Sequence, residues 1–385
     1  MERLRVLHMT TQLLSHGGIE QNLHLLAQRL DPDRFEMAIC SIRNALSDIP
    51  APFHNLSAKL FPLNRRGAIY DPFTTVSLWR LLRAYRPHIV HTHNNKANFH
   101  GRIAARLYGR AALVTTHHDM GDWRLAFGQP FERASLSKID DWVEQIIYPL
   151  CNVRMNRLNH RLIAVSHAVA AIEADSRADP RLHILPAPYD DHLFYSSSSP
   201  VSFQARLGTV GRLVWQKGLP VLLEALALVV IQNPLATLRI TGDGPMMSAL
   251  RQRASCSDIQ GRVLFSGSQS HNANLYHGLD IYLQPSLFEG SSMTTAEAMA
   301  MGLPVIASRT GGLAELVVDG ETGLLVPAND PIALSAAILF LLDNPEQARR
   351  MGQAGQKRAQ ALYTASRYIE QISTLYREVV REVCP

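Results

Sequence analysis

The stretch PSLFEGSSMTTAEAMAMGLP, residues 285–304, carries the main evidence for the fold. Two short apolar runs flank it, at residues 281–284 and 305–307, and its second half is rich in alanine and methionine, as helices often are. An apolar run followed by a loop, a helix and another apolar run is the repeating unit of a parallel sheet. The sequence therefore predicts a strand–helix–strand crossover in this region.

The same alternation extends through the whole chain. Apolar runs typical of strands buried on both faces occur at residues 4–9, 35–41, 89–92, 112–116, 162–165 and 183–185, and again at 207–210, 237–241, 263–266, 281–284, 305–307 and 323–326. Helical patterns separate them, for example at residues 18–30, 73–85 and 219–230. We therefore predict an α/β protein with two doubly wound, Rossmann-like domains that face one another across a cleft.

A change in composition marks the boundary between the two domains. Pro186-Ala187-Pro188 and the serine run at residues 196–199 are rich in turn formers, so we expect a hinge near residue 200. This divides the chain into domains at residues 1–198 and 199–366. Residues 367–385 form an amphipathic terminal helix, with Ile372, Tyr376 and Val379 on its apolar side. By its pattern alone, the helix could pack on the first domain or on its own.

Composition and charge exclude several classes of protein. Hydrophobic residues make up 46% of the chain and charged residues 18%, which argues against a disordered or fibrous chain. The net charge of +5 comes from the first 200 residues and suits an anionic partner such as phospholipid, but dense Lys/Arg clusters typical of nucleic-acid binding are missing. The four cysteines form no C-x-x-C pair, and we expect no signal peptide, so a reducing cytoplasm fits best. Because the apolar stretches fall short of ~20 residues, membrane contact is expected to be peripheral.

Charged and glycine-rich segments follow the predicted strands of the second domain. Arg212 and Lys217 follow one strand at the entry to a helix, where two cations could neutralise a diphosphate; solvated surface residues are the alternative. Glu289 lies on a strand-to-helix loop beside the potential backbone donors of Gly290, Ser291 and Ser292. Glu297 lies in an otherwise apolar helix and needs a partner, either hydroxyl groups of a sugar or ribose, or local backbone or an arginine.

The first domain offers a second set of polar groups. Gly17-Gly18 opens the first helix and could bring backbone N–H groups to a phosphate, although a plain tight turn is the alternative. His91-Thr92-His93 and Thr116-His117-His118-Asp119 follow two further strands. Such histidines could bind zinc or iron, but without a defined ligand helix they more often line a polar cleft, and we predict no metal.

Taken together, these motifs resemble family-4 retaining glycosyltransferases. The resemblance spans nearly the whole chain and rests on the Glu289…Glu297 E-x7-E element, on Gly211-Arg212…Lys217-Gly218, on Gly242-Asp243-Gly244-Pro245, on Gly311-Gly312 and on Gly17-Gly18, all in the same order. It implies the GT-B fold, with a C-terminal helix that returns to the first domain.

The resemblance also implies roles for individual residues. Arg212 and Lys217 would hold the donor diphosphate and stabilise the leaving nucleotide. Glu289 would contact the donor sugar and Glu297 the ribose, with backbone N–H groups of Gly17, Gly18, Gly290, Ser291 and Ser292 around the sugar and diphosphate. His118, or alternatively His117, would orient a sugar hydroxyl or the acceptor. The nucleotide-diphosphate sugar is the co-substrate, and no metal or other cofactor is implied.

The acceptor site is expected on the first domain. Asn94, Lys96 and Arg124 would line it, the last within a segment at residues 120–136 that mixes aromatic and basic residues. Such a mixture suits an anionic lipid-linked or oligosaccharide acceptor at the inner membrane face, although a loop packed on itself over the cleft is the alternative.

We therefore predict a retaining, metal-independent glycosyltransferase that uses a UDP- or GDP-sugar. Its place would be bacterial cell-surface polysaccharide, lipopolysaccharide or glycolipid synthesis, in the cytoplasm and peripherally at the plasma membrane. The segment from Ser291 to Thr295 departs from the family pattern, so the donor sugar cannot be carried over. A sugar-nucleotide epimerase and a non-catalytic nucleotide-sugar-binding protein are the rival hypotheses.

Overall fold

The computed structural model describes residues 3–14, 17–65, 71–118, 154–173, 179–195 and 203–383. The chain divides into two units, Met1–Pro186 with Tyr368–Pro385, and Ala187–Arg367. The boundary between the units thus lies before the expected one at residues 198 and 199. Each unit is built on its own parallel sheet, which confirms the two doubly wound α/β domains.

The sheet of the first unit has seven strands in the order β3-β2-β1-β4-β5-β6-β7. The strands are β1 Leu4–Thr10, β2 Phe35–Ser41, β3 Lys59–Pro62, β4 Ile89–His93, β5 Ala112–His117, β6 Arg161–Ala164 and β7 Leu182–Ile184, and the helices are Gly18–Arg29, Ala51–His54, Pro72–Tyr85, Asn95–Tyr108 and His167–Glu173. The order reverses between β1 and β4, and ligands of open parallel sheets bind at such a switch point, beyond the carboxyl ends of the strands.

The sheet of the second unit has six strands in the order β10-β9-β8-β11-β12-β13. The strands are β8 Arg206–Val210, β9 Thr237–Thr241, β10 Val263–Gly267, β11 Ile281–Gln284, β12 Val305–Ser308 and β13 Gly323–Val326, and the helices are Leu219–Gln232, Met247–Ala254, Met293–Ala300, Leu313–Leu316, Pro331–Asp343 and Pro345–Leu362. Here the switch point lies between β8 and β11, so the loops after these two strands are brought together.

Among the described residues, the strands form where the sequence pattern places them, with one exception. The short strand β3, Lys59–Pro62, was not predicted, because it has only four residues, begins with an exposed lysine and ends in proline. These are features of an edge strand, and β3 is indeed the first strand of its sheet.

The helices begin at local sequence signals. Asp71 caps the helix Pro72–Tyr85 by accepting a hydrogen bond from the backbone N–H of Phe73. Asp330 caps Pro331–Asp343 in the same way, accepting from Ala333 N–H. In both helices proline stands at the first position, where its missing N–H is not needed.

The C-terminal helix Ala365–Val383 begins in the second unit and continues in the first. Ile372, Tyr376 and Val379 are fully buried and belong to the hydrophobic core of the first unit, together with Leu26 and Ile39. The return of this helix to the first domain is therefore confirmed. Its apolar side packs in the core of the first unit and not, as the alternative had it, on the second.

Among the described residues, Trp215–Gln232 is the one stretch long and apolar enough to cross a membrane by length and composition. It includes the helix Leu219–Gln232, whose Leu222, Leu226 and Val229 are fully buried in the core of the second unit. Core helices pass the same test of length and composition, so the stretch is weak evidence for a membrane span.

Candidate active site

Two loops of the second unit are held together by close backbone packing. Gly218, with a φ of 63°, ends the loop after β8, and a Cβ atom there would lie 2.0 Å from the carbonyl oxygen of Pro285. The backbone N–H of Leu287 donates to the carbonyl of Gln216 at 2.8 Å. Any side chain at position 218 would push the loops apart, so glycine is required here to bring the loop after β8 against the loop after β11.

This packing brings together two of the predicted site residues. Lys217 Nζ donates to Glu289 Oε2 at 2.5 Å, and both side chains are largely buried. The hydroxyl of Ser286 also donates to Glu289 Oε2, at 3.2 Å. Glu289 Oε1 accepts no hydrogen bond from any residue that the structure describes. The carboxylate is thus fixed through one oxygen, and the other has no partner among the described residues.

Arg212 stands at the start of the same loop, directly after β8 and Gly211. Its side chain is exposed, and its guanidinium has no partner within the described part of the chain. The rigid backbone around it comes from the glycines: a Cβ atom on Gly242 would lie 1.9 Å from the carbonyl oxygen of Gly211. A planar cation held in this way at a strand end can bind a phosphate with two parallel hydrogen bonds.

The loop after Glu289 presents backbone donors. Ser292 caps the helix Met293–Ala300 by accepting from the N–H of Thr295, and Ser291 Oγ accepts from Ala187 N–H at 3.2 Å. Both hydroxyls therefore serve the fold. The backbone N–H groups of Gly290, Ser291 and Ser292 donate to no residue in the described ranges, and their assignment to a donor cradle stays a prediction.

Glu297 is completely buried inside the helix Met293–Ala300 and has two side-chain partners. Its Oε1 pairs with His271 Nε2 at 2.8 Å, and its Oε2 accepts from the hydroxyl of Tyr276 at 2.5 Å. The partner is thus neither local backbone nor an arginine, the alternatives considered from the sequence. Nothing in the sequence pattern singles out His271 and Tyr276. They lie after β10, before and directly after the short 3-10 turn Ala273–Leu275, and far from Glu297 along the chain.

The environment of Glu297 changes the ionisation of its partners. Burial opposes charge on His271, but the negative charge of Glu297, the hydrogen bond with it and the charge of Asp190 outweigh burial, and the pKa of His271 is raised. Burial, together with Glu297, holds the pKa of Tyr276 well above its usual value, so the phenol stays neutral and donates. The buried carboxylate is therefore stabilised by one neutral donor and one imidazole that favours its charged form.

A polar cavity of about 430 Å³ adjoins the His271 loop. It lies at the carboxyl ends of β9 and β10, and Arg239, Thr241, Ser266, Gln269 and Asn272 line it. Its size falls within the range of small-molecule sites.

In the first unit, the glycine pair opens the helix Gly18–Arg29 as expected, but an acidic side chain lies next to it. A Cβ atom on Gly17 would lie 2.1 Å from Glu20 Oε2, so the carboxylate of Glu20 is packed against the start of the helix. The positive end of the helix stabilises this charge. An anionic ligand at Gly17 and Gly18 would therefore meet the carboxylate of Glu20.

The two candidate histidines of β5 differ in their surroundings. His117 is buried, with Nε2 3.3 Å from Asn156 Oδ1 and 3.4 Å from a guanidinium nitrogen of Arg102, and burial lowers its pKa to about 3. His118 is partly exposed, and its Nε2 lies 3.0 Å from His93 Nδ1. Burial lowers the pKa of His118 to about 4. Of the two, His118 is the one that a ligand can reach.

The predicted acceptor residues are more enclosed than expected. The amide of Asn94 accepts from the backbone N–H of Thr11 at 3.0 Å and donates to Thr10 Oγ1 at 2.9 Å, and Lys96 is 3% exposed. Arg124 and the whole segment 120–136 lie outside the described residues. The assignment of these three residues to the acceptor stays a prediction.

The chain is similar to known proteins over most of its length. The family described as Glycosyltransferase Family 4 matches residues 16–193, and the family described as Glycosyl transferases group 1 matches residues 201–358. A relative from Escherichia coli, the UDP-Gal:alpha-D-GlcNAc-diphosphoundecaprenol alpha-1,3-galactosyltransferase, is 27% identical over 290 residues, which cover 72% of each chain.

A second relative and a solved structure are also similar to this chain. The GDP-mannose-dependent alpha-(1-6)-phosphatidylinositol monomannoside mannosyltransferase of Mycolicibacterium smegmatis is 28% identical over 274 residues, covering 66% of this chain and 67% of the relative. The crystal structure of Anabaena HepE in complex with UDP and glucose superposes with a TM-score of 0.78 at 20% identity, covering 98% of this chain and all of the other. With its two parallel sheets, the chain is a GT-B glycosyltransferase and belongs to the family-4, group 1 glycosyltransferases.

Proposed function

We propose that this glycosyltransferase transfers a sugar from a UDP- or GDP-sugar to an acceptor hydroxyl with retention of the anomeric configuration and without a metal. The observation that carries the proposal is the arrangement after β8 and β11: Lys217 is paired with Glu289, and Arg212 lies on the same loop as Lys217 with no protein partner among the described residues. A donor with a diphosphate next to a sugar matches two cations next to a carboxylate.

Arg212 and Lys217 would act on the leaving group. When the bond from the anomeric carbon to the diphosphate oxygen breaks, negative charge develops on that oxygen. Cations that are already in place stabilise this charge without reorganisation, which is usually the largest contribution to catalysis. Because Arg212 and Lys217 supply the positive charge, the proposal needs no divalent ion.

Glu289 would act on the sugar. Its Oε1 can accept a hydrogen bond from a sugar hydroxyl while Oε2 stays with Lys217 and Ser286. The main-chain N–H groups of Gly290, Ser291 and Ser292 would surround the sugar and the diphosphate, and the hydroxyl would attack from the face that the diphosphate leaves. On that face, the departing oxygen is close enough to take the proton of the hydroxyl, so no separate base is required.

Glu297 would contact the ribose only if it exchanges a partner. Both of its oxygens are engaged, by His271 and Tyr276, and the carboxylate is fully buried. A ribose could replace the imidazole of His271, which is partly exposed, or it could bind to His271 itself. The adjoining polar cavity of about 430 Å³ is of a size to receive part of the nucleotide.

The names of the relatives support the donor and acceptor classes. One uses UDP-galactose with a diphosphoundecaprenol-linked acceptor, and another uses GDP-mannose with a phosphatidylinositol mannoside. We infer a lipid-linked or oligosaccharide acceptor in the synthesis of cell-surface polysaccharide, lipopolysaccharide or glycolipid, with the enzyme acting in the cytoplasm at the inner membrane face. The positive charge of the first 200 residues supports contact with an anionic surface.

The donor can be identified before the acceptor is known. Thermal unfolding is followed with UDP, GDP and ADP, each with and without EDTA, because a ligand that binds the folded state raises the melting temperature according to its affinity. We expect UDP or GDP to raise it and EDTA to leave the shift unchanged. No shift with any of the three, or a shift that EDTA abolishes, would contradict the proposal.

The reaction type is then read from products. The chain is incubated with the labelled sugar of the nucleotide that binds and with a mixture of lipid-linked and oligosaccharide acceptors, and the anomeric configuration of the product is determined by NMR. Transfer with retention supports the proposal. An inverted product contradicts retention, conversion of one nucleotide sugar into another indicates an epimerase, and binding without turnover indicates a non-catalytic protein.

A further inference from the structure

Three fully buried histidines lie near His118 in the first unit. His8 is on β1, and His91 and His93 are on β4, with exposures of 0%, 0% and 1%. His8 Nδ1 lies 2.9 Å from His93 Nε2, and His93 Nδ1 lies 3.0 Å from His118 Nε2. The partly exposed His118, directly after β5, is therefore connected to the interior through ring-to-ring hydrogen bonds.

The connection continues to the C-terminal helix. His8 Nε2 lies 3.4 Å from the hydroxyl of Tyr376, which lies 2.6 Å from His91 Nδ1. His91 Nε2 in turn lies 2.7 Å from Thr116 Oγ1. We call this series of groups the histidine chain; in order, it consists of Thr116, His91, Tyr376, His8, His93 and His118.

A metal ion is the other use for such a cluster, since ring nitrogens of His8, His91 and His93 lie within 4.8 Å of one another. The ring centres of His8 and His93 are 5.2 Å apart with an angle of 12° between the planes, and the nearest nitrogens are 2.9 Å apart. The two rings are thus placed end to end, with one lone pair directed at the other nitrogen. Zinc needs about 2.0–2.1 Å to each nitrogen, so an ion does not fit between them. The geometry favours hydrogen bonds.

All four rings are neutral at neutral pH. Burial lowers the pKa of His8 to about 3 and that of His118 to about 4, and burial together with the neighbouring imidazoles holds the pKa values of His91 and His93 well below the usual range. A neutral imidazole has one N–H and one lone pair. Each ring therefore donates on one side and accepts on the other. Because the buried Tyr376 hydroxyl needs an acceptor and contacts two imidazoles, it donates to one of them, and the whole chain then has two possible directions.

The two contacts of the Tyr376 hydroxyl, 2.6 Å to His91 Nδ1 and 3.4 Å to His8 Nε2, select one direction. The 2.7 Å from His91 Nε2 to Thr116 Oγ1 lies at the short limit for an N–H donor. The contact of 2.6 Å from Tyr376 to His91 Nδ1 is short for an N–H donor, which normally lies near 2.9 Å from an oxygen, and is in the range of hydroxyl donors. The phenol is also a stronger acid than a neutral imidazole. Tyr376 therefore donates to His91 and accepts from His8 Nε2. It follows that His93 Nε2 donates to His8, and that His118 Nε2 donates to His93.

We propose that the histidine chain holds His118 as the Nε2–H tautomer, so that His118 Nδ1 offers a lone pair to a hydroxyl of the ligand. His8, His91, His93 and Tyr376 are then positioning residues for His118. His118 Nδ1 has no hydrogen-bond partner among the described residues, as a ligand-facing acceptor should. The identity of this ligand, the donor sugar or the acceptor, rests on the proposed function; the tautomer of His118 does not.

The tautomer can be measured without any ligand. The ring nitrogens are observed by NMR after ¹⁵N labelling of histidine, and the His118 signals are identified by their loss in His118→Gln. In the unchanged protein we expect a protonated Nε2 and an unprotonated Nδ1 on His118.

The variant Tyr376→Phe tests the coupling. It leaves His8 Nε2 without a partner, and a buried N–H without an acceptor is less tolerated than an unpaired lone pair, so His8 should move its proton to Nδ1. The hydrogen bonds to His93 and His118 then reverse, and His118 becomes the Nδ1–H tautomer. Tyr368→Phe is the matched control, because it removes another buried hydroxyl of the same helix, one that contacts Asn22 and not the histidine chain. It should leave His118 unchanged.

Three results would overturn the proposal: an Nδ1–H tautomer of His118 in the unchanged protein, the same His118 signals in Tyr376→Phe, or shifts of the His8 and His93 ring signals on addition of stoichiometric zinc. If Tyr376→Phe does not fold, Thr116→Val replaces it, since removing the acceptor of His91 Nε2–H should reverse the hydrogen bonds of the same histidine chain.

In the transfer assay, Tyr376→Phe should lower kcat about tenfold and leave KM for the donor within about twofold, as expected for one lost buried hydrogen bond. Tyr368→Phe should keep kcat. A protein without transfer activity would refute the proposed function, and the NMR result would still decide on the histidine chain.

Discussion

Lys217 Nζ and Glu289 Oε2 form a 2.5 Å ion pair that joins the loop after β8 to the loop after β11. The exposed fractions of the two side chains are 17% and 10%, so water screens the pair only in part. Each charge is therefore the main compensation for the other in the absence of a ligand. A diphosphate that binds Lys217 would weaken the pair and leave Glu289 more open to hydrogen bonds from the donor sugar.

The first prediction concerns this pair. We expect Lys217→Ala and Glu289→Ala each to abolish transfer while the chain still folds. In the proposed mechanism, one removes a cation from the leaving group and the other a carboxylate from the sugar. Each single variant also leaves an unpaired, largely buried charge, so the double variant should be less destabilised than the sum of the two, by about 1–3 kcal/mol. Urea denaturation of all four proteins measures this coupling. Additive effects would show that the pair is not formed in solution, and substantial remaining transfer would refute both assignments.

The second prediction separates binding from stability at Arg212. Because its guanidinium has no partner among the described residues, Arg212→Ala should change the free energy of unfolding by no more than about 0.5 kcal/mol. The affinity for UDP or GDP should nevertheless fall about tenfold to a hundredfold, since a charge-assisted hydrogen bond contributes about 1.5–3 kcal/mol. Isothermal titration gives the affinity.

Arg350→Ala is the matched control for Arg212→Ala. Arg350 is also exposed and lies on the helix Pro345–Leu362 of the same unit, so it tests whether loss of a positive charge alone weakens nucleotide binding. Equal losses of affinity in the two variants would remove Arg212 from the diphosphate site.

The sequence could predict which residues come to the edge of the second sheet but not which of them meet. Arg212, Lys217 and Glu289 all follow predicted strands, and this part of the prediction needs only the rule that ligands bind beyond the carboxyl ends. The pairing of Lys217 with Glu289 depends on β8 lying next to β11, although β9 and β10 come between them in the chain. Strand order is a property of the whole fold, so no local pattern reveals this contact.

The hydrogen-bond partners of Glu297 could not be predicted from the sequence either. Its burial in an apolar helix predicted that it needs a partner, since an unpaired buried carboxylate is unfavourable. The partners His271 and Tyr276 lie on either side of the short 3-10 turn Ala273–Leu275, in an irregular segment where no hydrophobic period fixes the direction of side chains. The histidines at the carboxyl end of β4 were visible as a group, but their link to Tyr376 of the C-terminal helix joins residues 285 positions apart.

The third prediction concerns His271 and Glu297. The pKa of His271 is raised in the folded protein, so the folded state binds the proton more tightly than the unfolded state does. The stabilisation by the pair is therefore complete below the unfolded pKa of about 6.5 and is lost as the pH rises through the folded pKa. His271→Gln should destabilise the second unit at pH 6 and have a smaller effect at pH 9.

Urea denaturation of His271→Gln and of the unchanged protein at these two values of pH is the measurement. His277→Gln is the matched control, since His277 lies on the same segment, is exposed and is not a hydrogen-bond partner of the Glu297 carboxylate. A loss of stability that is the same at both pH values would mean that His271 acts by packing, for instance against Phe194, and not by its charge.

The fourth prediction concerns acid. Burial is the main cause that lowers the pKa values of His8, His91, His93, His117 and His118, which therefore stay neutral in the folded first unit under conditions where the unfolded chain is protonated. The unfolded state then binds more protons, so stability falls as the pH drops below about 6.5, by up to about 1.4 kcal/mol per pH unit for each histidine, until the low folded pKa values are reached. In the second unit the pKa of His271 is raised, and this favours the folded state as the pH falls.

We expect the first unit to unfold at a lower urea concentration at pH 5 than at pH 7, with a smaller change for the second unit. Samples equilibrated at each pH and then labelled in a short deuterium pulse at one fixed pH, with peptides read by mass spectrometry, follow the two units separately. Burial is also the main cause that lowers the pKa values of His160 and His183, which lie in the first unit and add to its acid sensitivity. Equal acid sensitivity of the two units would contradict the assignment of neutral buried imidazoles to the first unit.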